Sequence, residues 1–178
     1  MERTKIFKLL KSDDPMEQVL IKGWIRTRRD SKGFSFIEVN DGSSLKNIQV
    51  VADEKLSNYP SIKKLTTGSA IAVSGSLVES RGGGQRWEIH AEDLEIIHLA
   101  PEDYPLQKKR HTDEFLRTIS HLRPRTNKYG AAFRIRSEMA HGIHQFFRER
   151  GFRYLHSPIL TGSDCEGAGE LFQVTTLD

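Results

Sequence analysis

The chain has 178 residues, of which 37% are hydrophobic and 29% charged, with a formal net charge of +3. That length suits one domain or two small ones, and no apolar run approaches the roughly 20 residues a membrane span needs. The charged start Met1-Glu2-Arg3-Thr4-Lys5 leads into no apolar signal-peptide core, and the single cysteine, Cys165, excludes an internal disulfide framework, as expected of a chain working in a reducing cytoplasm.

Residues 1–18 are mixed and charged, with room for a short helix ending near Pro15. Five strand-like runs follow, at Val19 to Arg29, Phe34 to Asn40, Ile48 to Ala52, Ala70 to Val78 and Trp87 to Ile97. They are rich in β-branched and aromatic residues, which fit a pleated, half-buried surface. Between them stand turn signals: Ser31-Lys32-Gly33, Asp41-Gly42-Ser43-Ser44 and Arg81-Gly82-Gly83-Gly84. Tyr59 to Thr67 reads as a short helix that stops at Gly68. Five strands with a helix between the third and fourth is the element order of an OB-fold, a small closed barrel that binds oligonucleotides.

A connector is predicted next, broken by Pro101, Pro105 and Pro124. From Lys108 to Arg136 it carries nine lysines or arginines against two acids, Asp113 and Glu114. Such a stretch can neutralise phosphates, or be a solvated linker. The period then changes. Ala132, Ile135, Met139, Ile143 and Phe146 recur at spacings of three and four, which makes one apolar helical face. Thr126 or Asn127 can cap its start, and Gly151 stands where a helix-ending glycine belongs. Phe152 to Thr161 reads as a strand with Pro158 at an edge or bend.

Strand parity predicts which side chains face solvent, because successive residues point to opposite faces. In the second strand Ser35, Ile37 and Val39 share the core face, which leaves Phe34 and Phe36 outside. Ile48 and Val50 point inward and Gln49 outward; Trp87, Ile89 and Ala91 point inward, Glu88 and His90 outward. Phe36, Gln49 and Glu88 therefore share the outside of adjacent strands. A base can stack on the ring, while Gln and Glu read a splayed base along its Watson–Crick edge. A glutamate repels phosphate, so its presence points to reading of guanine amino and imino donors. Arg26, Arg28 and Arg29 can hold phosphates or a base carbonyl. The alternative is that Phe34 and Phe36 pack beneath a loop or the connector.

The blocks Gly23-Trp24-Ile25-Arg26-Thr27-Arg28-Arg29-Asp30, Phe36-Ile37-Glu38-Val39-Asn40-Asp41 and Ile48-Gln49-Val50-Val51 resemble the anticodon-binding domain of class IIb aminoacyl-tRNA synthetases. The resemblance implies that Arg29, Phe36 and Gln49 bind the central uridine of the anticodon and that Glu88 reads its first base. Arg29 has the parity of Ile25, so a bulge is expected to re-phase the end of that strand. Phe147-Arg148-Glu149-Arg150-Gly151-Phe152 followed by Ser157-Pro158-Ile159-Leu160-Thr161 is similar to class II motif 1, which implies a homodimer interface that includes Gly151 and Pro158. His121 to Asn127 and Ser163 to Phe172 resemble the asparaginyl branch; the aspartyl branch usually has a proline at Cys165 and an arginine at Gly169.

The resemblance implies a five-stranded OB-fold barrel over 1–100, a basic connector over 101–129 and, over 130–178, the first helix and strand of a class II antiparallel catalytic domain. It implies an enzyme that activates asparagine with ATP and Mg2+ as asparaginyl-adenylate and transfers it to tRNA-Asn, with no membrane association. Glu166, in a glycine-rich loop, would hold the α-ammonium of the amino acid. Class II chemistry also needs the arginines of motifs 2 and 3, and neither motif precedes Asp178. The expectation is a piece of a longer polypeptide, inactive alone, with no catalytic residue and no metal ligand of its own. The competing readings are an aspartyl-tRNA synthetase and a stand-alone OB-fold module that binds tRNA or single strands.

Overall fold

A computed structural model of the chain describes residues 1–160, 162 and 175. Its elements are a one-turn helix α1 (Ile6–Leu9), strands β1 (Met16–Ser31), β2 (Phe34–Asn40) and β3 (Ile48–Asp53), a one-turn helix α2 (Tyr59–Ile62), strands β4 (Ala70–Glu79) and β5 (Trp87–His98), and helices α3 (Asp113–Thr118) and α4 (Asn127–Glu149). The strands close into a barrel in the order β1-β2-β3-β5-β4. β3 and β5 run parallel and every other pair antiparallel. The closed order leaves no free sheet edge to recruit another strand.

The alternation read from sequence sets the barrel's inside. Ile37, Val39, Ile48, Val50, Ile71, Val73, Leu77, Trp87 and Ile89 are all buried there. Ile6 and Leu9 from α1, and Tyr59 and Ile62 from α2, join the same core. Each large aliphatic side chain so buried stabilises the fold by about 1.5–3 kcal/mol before the cost of ordering it. α2 is shorter than the predicted Tyr59-to-Thr67 helix. The amides of Lys64 and Leu65 bond three residues back, to Ser61 and Ile62, and this tightens the chain into a turn.

Asp41 ties the N-terminal segment to the barrel. Its carboxylate accepts from the Ile6 amide at 3.1 Å, the Ser43 amide at 2.9 Å and Arg3 Nη2 at 3.2 Å. Burial pushes this carboxyl up, but the bonds from the Ser43 hydroxyl and amide, the Ile6 amide and Arg3 outweigh burial and hold it below the ordinary carboxylate value. A depressed folded pKa contributes stability that is complete above the unfolded value, about 3.9, and is lost as pH falls through the folded value. Urea unfolding followed from neutral pH down to about pH 2.5 should therefore show stability falling in the acid range, with a shallower fall in Asp41→Asn. Parallel profiles would mean that Asp41 is not part of the acid response.

The segment predicted as a connector lies against the barrel. Cα packing divides the chain into units Met1–Ile135 and Arg136–Asp178, so the connector belongs to the first. The Ala100 amide donates to Ser69 Oγ at 3.0 Å and the Ala100 carbonyl accepts from Thr66 Oγ1 at 2.6 Å. The Arg125 guanidinium lies 4.2 Å from the Trp24 ring centroid, and the Arg125 carbonyl accepts from Arg26 Nη1 at 2.8 Å. Gly68 has φ +91, and a Cβ there would meet the Tyr104 ring at 2.7 Å.

α4 starts as its sequence signals say. Thr126 is extended and its Oγ1 accepts from the Tyr129 amide at 3.4 Å. In the second unit Gly151 takes φ +85. The Gly151 amide bonds to Arg148 O and the Phe152 amide to Phe147 O, both at 3.1 Å, while the rings of Phe147 and Phe152 meet edge to face at 5.4 Å. This is a Schellman motif with its apolar clasp, and the positive φ requires glycine at 151. The predicted strand from Phe152 does not form over 152–160. A strand exists only by pairing, and among the described residues none offers this segment a ladder. Pro158 lies in that irregular, exposed stretch. Glu166 and the glycine-rich loop at 163–172 fall outside the described residues.

Candidate nucleic-acid interface

The face expected to read bases is assembled by strand register. β1 pairs Ile25 with Val39 and then Thr27 with Glu38, so one extra residue, Arg26, is spent on β1. This bulge re-phases the strand as its parity required. Beyond it Arg29 stands directly opposite Phe36, with its guanidinium carbon 5.2 Å from the ring centroid. Across the next ladder Phe36 pairs with Val51 and Glu38 with Gln49, which makes Phe36 and Gln49 diagonal neighbours. In the parallel ladder Gln49 pairs with Glu88. Arg29, Phe36, Gln49 and Glu88 thus form one slanted row across four strands, β1, β2, β3 and β5.

The arginines divide sharply. Arg26 is spent on the Arg125 carbonyl. Arg28 donates to Leu65 O at 2.9 Å and pairs with Asp30 at 2.5 Å. Of the three expected to meet phosphate or base, only Arg29 makes no hydrogen bond or ion pair among the described residues and is exposed. Ser35 Oγ and Arg28 also donate to Asp30, whose carboxyl is moved up by burial and, more strongly, down by these bonds, to a net position below its ordinary value.

Glu88 is the least expected member of the row. Parity places it on the outer face, yet only 7% of it is exposed. Its Oε2 accepts from Gln49 Nε2 at 3.0 Å and Ser80 Oγ at 2.8 Å, with Gln85 Nε2 at 3.5 Å. Its Oε1 lies 3.1 Å from His90 Nε2. A buried carboxylate needs such partners, since an unpaired one would be costly. Sequence reading missed Ser80 and Gln85. Their signal was position, since they flank the glycine-rich turn that brings the end of β4 back over β5. Phe36 is half-buried and Phe34 is 41% exposed.

The basic connector forms a cleft of about 620 Å³ within the first unit, lined in part by Arg26, Lys109, Arg110 and Lys128. Its charge is partly spent internally, because Lys128 pairs with Asp113 at 2.6 Å. On α4 the apolar positions Met139, Ile143 and Phe146 are exposed at 63%, 58% and 50%.

Residues 19–97 match the family of OB-fold nucleic acid binding domains, and residues 112–177 match the tRNA synthetases class II (D, K and N). The chain is 59% identical over 178 residues to an asparagine–tRNA ligase of Oleidesulfovibrio alaskensis, covering 99% of this chain and 39% of that protein. It is 57% identical over 180 residues to one from Nostoc sp., covering 100% of this chain and 39% of that protein. The chain therefore spans about two fifths of the length of these relatives. The crystal structure of asparaginyl-tRNA synthetase from Pyrococcus horikoshii complexed with asparaginyl-adenylate shares the fold, with TM-score 0.83 at 23% identity over 99% of this chain and 41% of that one.

Proposed function

Since the chain belongs to the class II tRNA synthetases of the D, K and N group, we propose that its barrel is the anticodon reader of an asparagine–tRNA ligase. The observation that carries this reading is the row of Arg29, Phe36, Gln49 and Glu88 on the outside of a closed barrel. Phe36 supplies a face for a base to stack on. The Gln49 amide carries a donor and an acceptor side by side, which matches the imino N–H and a carbonyl of uracil. Glu88 supplies an acceptor for guanine donors, and Arg29 a mobile cation for phosphate or carbonyl.

The rest of the assignment follows the relatives. Residues 1–100 form the reader, 101–129 the connector and 130–178 the entry to the catalytic domain. The longer enzyme takes asparagine, ATP with magnesium, and tRNA-Asn, and works in the cytoplasm; among the described residues no helix is long and apolar enough to cross a membrane. Glu166 holds the α-ammonium. No group of three or more potential metal ligands occurs among the described residues.

The test is binding of the chain to short RNA hairpins that present either G-U-U or G-C-U at the loop centre. Cytosine lacks the imino N–H and reverses the polarity of the exocyclic group, so the uridine hairpin should bind at least about tenfold more tightly. Equal affinity would remove the anticodon reading. The unpartnered face of α4, with the Gly151 cap and the Pro158 segment, is the proposed homodimer surface. Met139→Asp would bury an unpaired charge there and should weaken self-association by at least about tenfold in sedimentation velocity. An unchanged association constant would place the dimer contact elsewhere.

A further inference from the structure

The carboxylate of Glu88 is held asymmetrically. An ionised carboxylate has about two acceptor positions on each oxygen. Oε2 is filled by Gln49 Nε2 and Ser80 Oγ. Oε1 has one partner, His90 Nε2 at 3.1 Å, and the His90 side chain is 55% exposed, free to swing aside.

The direction of the Ser80 bond is fixed by its other contacts. Ser80 Oγ accepts from the Gly82 amide and from Gln85 Nε2, both at 3.2 Å. Its acceptor positions are taken, so its single hydrogen goes to Glu88 Oε2. The glycine-rich turn therefore orients the hydroxyl, and the hydroxyl orients the carboxylate. Without it, Oε2 would keep Gln49 Nε2 at 3.0 Å and the long contact from Gln85 Nε2 at 3.5 Å. A terminal carboxylate torsion is broad and roughly two-fold, so the group could then turn and offer either oxygen in several directions.

We infer that Ser80 is a positioning residue for recognition of the first anticodon base: its hydroxyl pins Glu88 through Oε2 and leaves Oε1 as the acceptor for a guanine donor. The inference rests on the anticodon reading above and adds a residue to it. It also separates the two readers, because among the described residues the Ser80 hydroxyl bonds to Glu88, Gly82 and Gln85 and not to Gln49.

The experiment uses the 178-residue chain and two hairpins that differ in one base, G-U-U and A-U-U at the loop centre. Adenine presents an acceptor at N1 where guanine has a donor, so the wild type should prefer guanine. Ser80→Thr keeps the hydroxyl, and Ser80→Val has nearly the same shape without it. Ser80→Val should lower the G-over-A affinity ratio by roughly tenfold, the effect of misplacing one charge-assisted hydrogen bond. Its preference for G-U-U over G-C-U should be unchanged, and Ser80→Thr should keep both preferences. A full G-over-A ratio in Ser80→Val overturns the inference. So does equal loss of both preferences, which would make Ser80 a fold residue only. A wild type that prefers neither guanine nor uridine refutes the anticodon reading itself, a result distinct from either.

Discussion

Gly75→Ala should leave the chain without a stable barrel at temperatures the wild type tolerates. Gly75 lies on β4 opposite Ala91 of β5 and Val19 of β1. A Cβ at this position would fall 2.0 Å from the His90 carbonyl oxygen, 2.9 Å from its carbon and 3.1 Å from Ala91 Cα. All three are backbone atoms of the neighbouring strand, and none can rotate away. The β4–β5 register shifts between Ser74 and Gly75, as expected where a glycine lets two strands approach at a bulge. Relief would require β5 to move by about an ångström, and β5 carries Trp87 and Ile89 in the core. Overpacking usually costs about 1–3 kcal/mol, and a backbone clash belongs at or above the top of that range. At roughly 4–8 °C per kcal/mol for a small domain, the melting temperature should drop by more than about 10 °C. Gly82→Ala is the control, because its nearest neighbour would be Ser80 Oγ at an ordinary 3.6 Å. Equal melting temperatures for the two variants would show that β5 yields at little cost.

The strands were legible because burial alternates and glycine punctuates. Ser35, Ile37 and Val39 on one side of β2 against Phe36 on the other is a pattern that only one register can satisfy. The β1 bulge was legible for the same reason, since Arg29 could not otherwise share a face with Phe36. Coverage was not legible. Parity gives the side on which Glu88 projects, but not that Ser80, Gln85 and His90 close over it from residues that alternation treats as turn and surface. Nor does a run of arginines reveal which of them are free. Arg26 and Arg28 are consumed by carbonyls and a carboxylate that lie 37 to 99 positions away or on the same strand, while Arg29 is not. The segment after Gly151 shows the limit most plainly. Its composition suits a strand, but composition brings no partner, and the described residues 152–160 remain unpaired.

Phe36→Ala should cost the chain most of its affinity for the G-U-U hairpin. The face of the Phe36 ring is occupied in the free protein by Arg29, 5.2 Å away, so a base must displace the guanidinium or slide beneath it. The magnitudes decide the contest. A cation–π contact at an exposed site is worth about 0.5–1 kcal/mol, and a base stacked on an aromatic ring about 1–3 kcal/mol. Stacking wins, and the displaced Arg29, with no other partner among the described residues, is released toward the phosphates. Truncation to alanine should therefore weaken binding by roughly 5- to 150-fold. Phe36→Leu separates recognition from packing: it keeps an apolar side chain opposite Val51 but has no π face, so it should melt near the wild type and still bind weakly. Phe36→Tyr, with the ring intact, should bind within a few-fold of wild type. If Phe36→Leu bound the hairpin as tightly as the native chain, the ring would be a packing element of the outer sheet. The uridine would then have to be held by Gln49 and Arg29 without a platform beneath it.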